Sequence, residues 1–290
     1  MLKVLVDSGS SIKQEEAKDY NVEVIPLILS FDDKEYLDGV DITIEEFYDK
    51  LIKEKKFPKT SLPNLLELQE KVEKYTKDGD DVLIITISSK ISGTYNAIRG
   101  LFAENNKVKV IDSQSAVGGI RILVEEVNRN REKSLDEIET ILNDIIPRIK
   151  VCAIPETLEY LMRGGRLSKK EWLFGSILNI KPIITFKDGE VKVMSKKMGL
   201  KNAMNGINQE LETVECDERH GIVAAYTFCK NNLLKLIDLT KDKFKKLIKV
   251  FDNLDPAIAC HWGPNAFGYI FVSKKKKKQM ENITQLKTDK

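Results

Sequence analysis

The chain is short of the features that mark several protein classes. Its four cysteines, Cys152, Cys216, Cys229 and Cys260, are scattered, and none forms a CxxC pair. That usage suggests neither a zinc site nor a disulfide framework, and it points to the cytoplasm. No apolar run approaches the roughly 18–20 residues that a membrane span needs, which argues against integral membrane association. The N-terminal MLKVLVDSGS turns polar too soon for a secretory signal and reads instead as a first strand. The signatures GxSxG, GxGxxG, P-loop and HExxH are all missing, so the sequence offers no ready-made catalytic centre and no metal site. There is no internal repeat and no long flexible linker.

What is present describes a globular protein. The 290 residues are 42% hydrophobic and 32% charged, enough for one large domain or two ordinary ones with a real core. The net charge of +2 is uneven. Residues 273–290 hold seven lysines against Glu281 and Asp289, so the remaining body is slightly acidic. An acidic body argues against a dedicated nucleic-acid protein. The Lys274 to Lys278 run reads as a solvated terminus, with contact to nucleic acid or anionic lipid as the other reading.

Strand-like and helix-like segments alternate through the first half. Lys3 to Val6, Val22 to Phe31, Val82 to Ile87 and Val108 to Asp112 read as strands. Glu15 to Tyr20, Ile44 to Lys53, Asn64 to Tyr75, Tyr95 to Asn105, Gly118 to Arg129 and Leu135 to Arg148 read as helices. That alternation predicts a mainly parallel sheet with flanking helices over residues 1–150. The texture then changes. Lys181 to Phe186 and Glu190 to Met194 straddle Asp188-Gly189, a strong hairpin signal. Gly199 to Val214 and Asn232 to Phe251 have helical periodicity. Gly221 to Phe228, Ala257 to His261 and Gly268 to Val272 read as strands. Hairpins mixed with helices predict a second, α+β domain over residues 151–290, the basic tail included.

One stretch carries the most chemistry. The strand Val82 to Ile87 breaks into Ser88-Ser89 and then Ser92-Gly93-Thr94 before a helix. A strand that ends in a Ser/Gly/Thr turn and feeds a helix can bind an anion. The place lies beyond the carboxyl end of a parallel strand, where open α/β sheets put their ligands. An acidic head group is therefore expected there.

Several segments, in order, now resemble one family: Asp7-Ser8, Tyr36-Leu37-Asp38-Gly39, Thr60-Ser61-Leu62-Pro63, Ile87 through Tyr95, LEYLMRGGRLS from Leu158 to Ser168, Asn179-Ile180-Lys181-Pro182, and His261-Trp262-Gly263-Pro264. Together they resemble the DegV family of fatty-acid-binding proteins, its FakB-like members included. The resemblance implies a two-domain α/β fold with a long-chain, palmitate-like fatty acid in a tunnel between the domains. It also implies no chemistry of the chain's own and no further cofactor. FakB-like members present the acid to a separate fatty acid kinase subunit, and the acyl phosphate then enters phospholipid synthesis. By motif, Thr60 and Ser92 fall where the family holds the carboxylate, His261 falls near the same head group, and Ser61, Gly93 and Thr94 flank them. Leu27, Ile91, Leu178 and Phe267 are expected near the acyl tunnel. FakB-like relatives usually carry Arg-Gly-x-Lys-Lys-Ala after the hairpin. Here the segment is Met198-Gly199-Leu200-Lys201-Asn202-Ala203, and a lysine at 196 or 197 lacks the arginine fork.

Each residue also has a plainer reading. Thr60 could cap the helix after Pro63, Ser92 could cap the Tyr95 helix, and His261 could be structural. Gly164-Gly165-Arg166 reads either as a phosphate cradle or as a helix-ending glycine pair with a structural arginine. The rival function is a serine hydrolase using Ser92, His261 and Asp112, since a triad is defined by geometry and not by order.

Overall fold

The structure is a computed structural model that describes residues 1–169, 179–251 and 253–275. In chain order its strands are Leu2–Asp7 (β1), Glu23–Ile25 (β2), Ile28–Phe31 (β3), Lys34–Leu37 (β4), Lys59–Ser61 (β5), Asp81–Thr86 (β6), Val108–Asp112 (β7), Ile149–Ile154 (β8), Ile180–Lys187 (β9), Glu190–Met198 (β10), Ile222–Tyr226 (β11), Ile248–Val250 (β12) and Phe267–Val272 (β13). The helices are Ile44–Tyr48 (α1), Leu65–Lys77 (α2), Thr94–Leu101 (α3), Gly118–Asn128 (α4), Leu135–Ile145 (α5), Glu159–Arg163 (α6), Leu200–Thr213 (α7), Asn231–Leu239 (α8), Asp242–Lys245 (α9) and Pro256–Trp262 (α10).

The first sheet is parallel, in the order β2-β1-β6-β7. Its strands are near-continuous apolar runs because both faces are covered. Val4, Val6, Leu83 and Ile85 point to one face, where they pack with Ile120, Leu123 and Val124 of α4. Leu5, Val82 and Ile84 point to the other, against Leu68 and Val72 of α2 and Ile98 of α3. The second sheet runs β10-β9-β8-β13-β11-β12 and is antiparallel except for the β11–β12 pair. Val151, Val223 and Ile270 join the α4 core, whereas Cys152, Ala224 and Tyr269 face Ile207 and Leu211 of α7 and Leu233 of α8. Helix α4 is thus shared by both sheets, and the molecule is layered helix, sheet, helix, sheet, helix. The architecture is mixed α/β, with a parallel sheet first in the chain and a mixed sheet after it.

A third, small antiparallel sheet, β4-β3-β5, packs on α1 and on α10. It pairs Leu29 with Thr60, and Leu29 is buried against Ala259 and Cys260. This places Thr60 beside the helix that bears His261. The Asp188-Gly189 hairpin forms as its dipeptide predicts, both residues at positive φ (52° and 80°).

Some segments differ from the sequence expectation. Ala257 to His261 is helix and not strand. Pro256 occupies the first helical turn after the extended Asp255, and all of Ala257, Ile258, Ala259 and Cys260 are buried. A short run buried on every side has no periodicity that separates helix from strand. Asn232 to Phe251 is not one helix. Thr240 Oγ1 bonds to the Leu236 carbonyl as α8 ends, and β12 follows at the sheet edge. Glu15 to Tyr20 forms hydrogen-bonded turns. No described helix is long and apolar enough to cross a membrane.

Candidate functional site

A cavity of about 180 Å³ opens beyond the carboxyl ends of β2 and β6, lined by Leu27 after the first and by Ile87, Ile91, Ser92 and Gly93 after the second. Five of the residues singled out in sequence line its polar end or neck: Thr60, Ser61, Ser92, Gly93 and His261. Leu27 and Ile91 form apolar wall. Thr94 lies behind, its hydroxyl 2.8 Å from that of Ser92. Phe267 borders a second, inner chamber of about 40 Å³. Leu178 lies outside the described residues.

The plainer readings divide. Helix α2 is capped by Asn64, whose side chain accepts from the Leu66 and Glu67 amides, so Thr60 has no capping duty. Ser92 Oγ does accept from the Thr94 amide at 3.3 Å, so it serves the start of α3 while lining the cavity. The other hydroxyls of the turn do not converge on it. Ser88 Oγ donates instead to the Gly189 carbonyl at 2.7 Å and ties the turn to the hairpin of the second sheet.

His261 Nε2 lies 3.1 Å from Thr60 Oγ1, across 201 residues of sequence. Its Nδ1 is buried without a hydrogen-bond partner among the described residues and packs on Gly164, where a Cβ would sit 2.3 Å away. Burial, and then the Arg166 charge, push the imidazole down to about 3, so it is neutral. With its proton on Nε2, no buried N–H is left orphaned, the arrangement that folded proteins favour. The ring then donates to Thr60 Oγ1, and the Thr60 hydroxyl proton is free to donate onward into the cavity.

Arg166 joins the cavity lining, a place that its local sequence does not reveal. Its Nε donates to the Ile91 carbonyl at 3.0 Å and its Nη1 to the Gly164 carbonyl, and the guanidinium lines the cavity. Glycines 164 and 165 do end α6, and the arginine that follows them is the cation among the residues lining the cavity. The signal was a basic residue directly after a helix-ending glycine pair. The hydrolase triad is not assembled. Asp112 Oδ1 accepts from the Ser89 and Gln114 amides, and His261 is turned to Thr60 and not to Ser92. Met198 is a surface position, 68% exposed. No group of His, Cys, Asp or Glu among the described residues is arranged to hold a metal ion.

The family model described as "Uncharacterised protein, DegV family" matches residues 1–274. The chain belongs to the DegV family. A DegV domain-containing protein of Caldanaerobacter subterraneus subsp. tengcongensis is 35% identical over 278 residues, covering 94% of this chain and 99% of that one. Another from Clostridium perfringens is 33% identical over 285 residues, covering 93% and 98%. Among solved structures, a fatty-acid-binding DegV family protein of Thermus thermophilus superposes with a TM-score of 0.84 at 28% identity, over 94% of this chain and 99% of that one. A DegV protein of Streptococcus agalactiae shares the fold with a TM-score of 0.83 at 24% identity, over 95% and 99%. Within this DegV-family fold, the residues that gather at the cavity come from both ends of the chain.

Proposed function

We propose that this chain binds a long-chain fatty acid, with the carboxylate at Thr60, Ser92, Arg166 and neutral His261 and the acyl tail running into the apolar chambers. The carrying observation is one cavity with two chemistries: hydroxyls and a guanidinium at one end, aliphatic and aromatic walls beyond. Hydrogen bonds to a charged acceptor contribute about 1.5–3 kcal/mol each, and an ionised carboxylate leaves water only where several such donors meet. Each buried CH₂ adds about 0.8 kcal/mol, so the tail supplies most of the affinity. The Thermus thermophilus relative, described as fatty-acid-binding, supports the same ligand class.

The chain acts as a carrier and does no chemistry on the acid. Ser61 and Gly93 line the head-group end and are exposed, so a carboxylate held there is within reach of a second protein. Presentation to a separate fatty acid kinase subunit fits that geometry. The test is to record native and denaturing mass spectra on one purified sample. An adduct with the mass of a single long-chain fatty acid, lost on denaturation, is expected. A clean apo mass with no uptake of added palmitate or oleate would overturn the reading.

A further inference from the structure

The two chambers are unequal. The outer one, about 180 Å³, holds the polar head-group end. The inner one, about 40 Å³, has under a quarter of that room. They share Ala116, Phe186 and Trp262, so the passage between them runs past one small and two large side chains. The inner walls are parts of the main core. Val117, Val151, Ala225 and Ile270 are all buried in the cluster around α4. Close-packed interiors yield little, so these walls do not give way to a longer ligand. Phe186 and Trp262 differ, being only partly buried and lying where two core clusters meet. They are the members of the passage with room to shift.

We infer that this chain selects straight, saturated acyl chains of limited length, and that Phe186 and Trp262 set the limit by narrowing the way into a smaller chamber walled by the core. The inference rests on the fatty-acid reading above. A methylene that enters the chambers raises affinity about fourfold, while one that finds no room adds nothing. Affinity therefore climbs with chain length and then levels off. A cis double bond bends the tail in its middle, and a bent tail meets the two rings where a straight one passes between them.

The experiment is competition binding read by native mass spectrometry, using decanoate, laurate, myristate, palmitate and stearate, with oleate set against stearate at equal length. The wild-type protein should gain about fourfold per methylene among the short acids and level off before the end of the series. Oleate should bind several-fold more weakly than stearate. Phe186→Leu should move the levelling point to longer acids and shrink the stearate–oleate gap. An unbroken rise through stearate, with oleate equal to stearate, would overturn the inference while leaving fatty-acid binding intact. Failure of every acid to bind would overturn both. Should Phe186→Leu fail to fold, the wild-type series decides alone, because its break point requires no variant.

Discussion

The two ends of helix α10 carry opposite chemistry and reach the same electrical result. At its N-terminus, Asp255 and Asp38 are buried together, with Asp38 Oδ1 accepting from the Ala257 amide at 3.0 Å. Burial, reinforced by the neighbouring Asp38 charge, pushes Asp255 up to about 8, and burial pushes Asp38 up to about 6. At the C-terminus, burial pushes His261 down to about 3. Asp255 is held protonated at one end and a base is held neutral at the other. Desolvation removes charge of either sign when no close counter-ion offsets it. Arg166 escapes because a guanidinium stays cationic in any such setting. The difference teaches what each residue can offer an acid ligand: Arg166 supplies charge, while Thr60, Ser92 and His261 supply direction.

The largest effect should follow from removing that charge. Arg166→Gln is expected to weaken palmitate binding about a hundredfold, since it strands a buried carboxylate without a cation. Isothermal titration would check it, and a loss under threefold would place the carboxylate away from Arg166. Thr60→Val and Ser92→Ala should each lose about tenfold, the value of one charge-assisted hydrogen bond. Unfolding midpoints recorded alongside would separate lost binding from lost folding.

The acid end of the helix makes a prediction about stability. Unfolded carboxyls ionise near pH 4, whereas Asp255 in the folded protein keeps its proton to about pH 8. Between those values the folded state binds more protons than the unfolded state. Stability from this group therefore falls as pH rises from about 4 and levels off above about 8. Asp255→Asn removes that titration. Its unfolding midpoint should change less between pH 5.5 and pH 8.5 than that of the parent, by several degrees, at roughly 2–4 °C per kcal/mol. An identical pH dependence in both proteins would show that Asp255 ionises normally. The smallest effect is an expected silence. Because His261 stays neutral down to about pH 3, palmitate affinity should show no inflection near pH 6.5.

Much of the scaffold was legible because its signals are local. The apolar runs of β1, β6 and β7 and the Asp188-Gly189 turn each announce their element within a few residues. The helix at Ala257 to His261 was not, because its burial comes from two separate clusters that sequence does not bring together. The same holds at the site. Thr60, Ser92 and His261 stood out through motif and residue type, but the pairing of Thr60 with His261 spans 201 residues and depends on α10 being a helix. Arg166 was visible as a residue and invisible as a role. Its part follows from the ring of His261 packing on Gly164 and the guanidinium reaching the Ile91 carbonyl. Nothing in the local pattern encodes contacts of that kind.

The most direct test of the account is a matched titration with palmitate and with its methyl ester. The two share a tail and differ in the charge and in the second acceptor oxygen that Arg166, Thr60 and Ser92 are held to recognise. The account predicts that the acid binds at least tenfold more tightly, a difference that Arg166→Gln largely erases. Equal affinity for acid and ester in the unaltered protein would contradict it, and would leave the cavity as an apolar pocket without a head-group site.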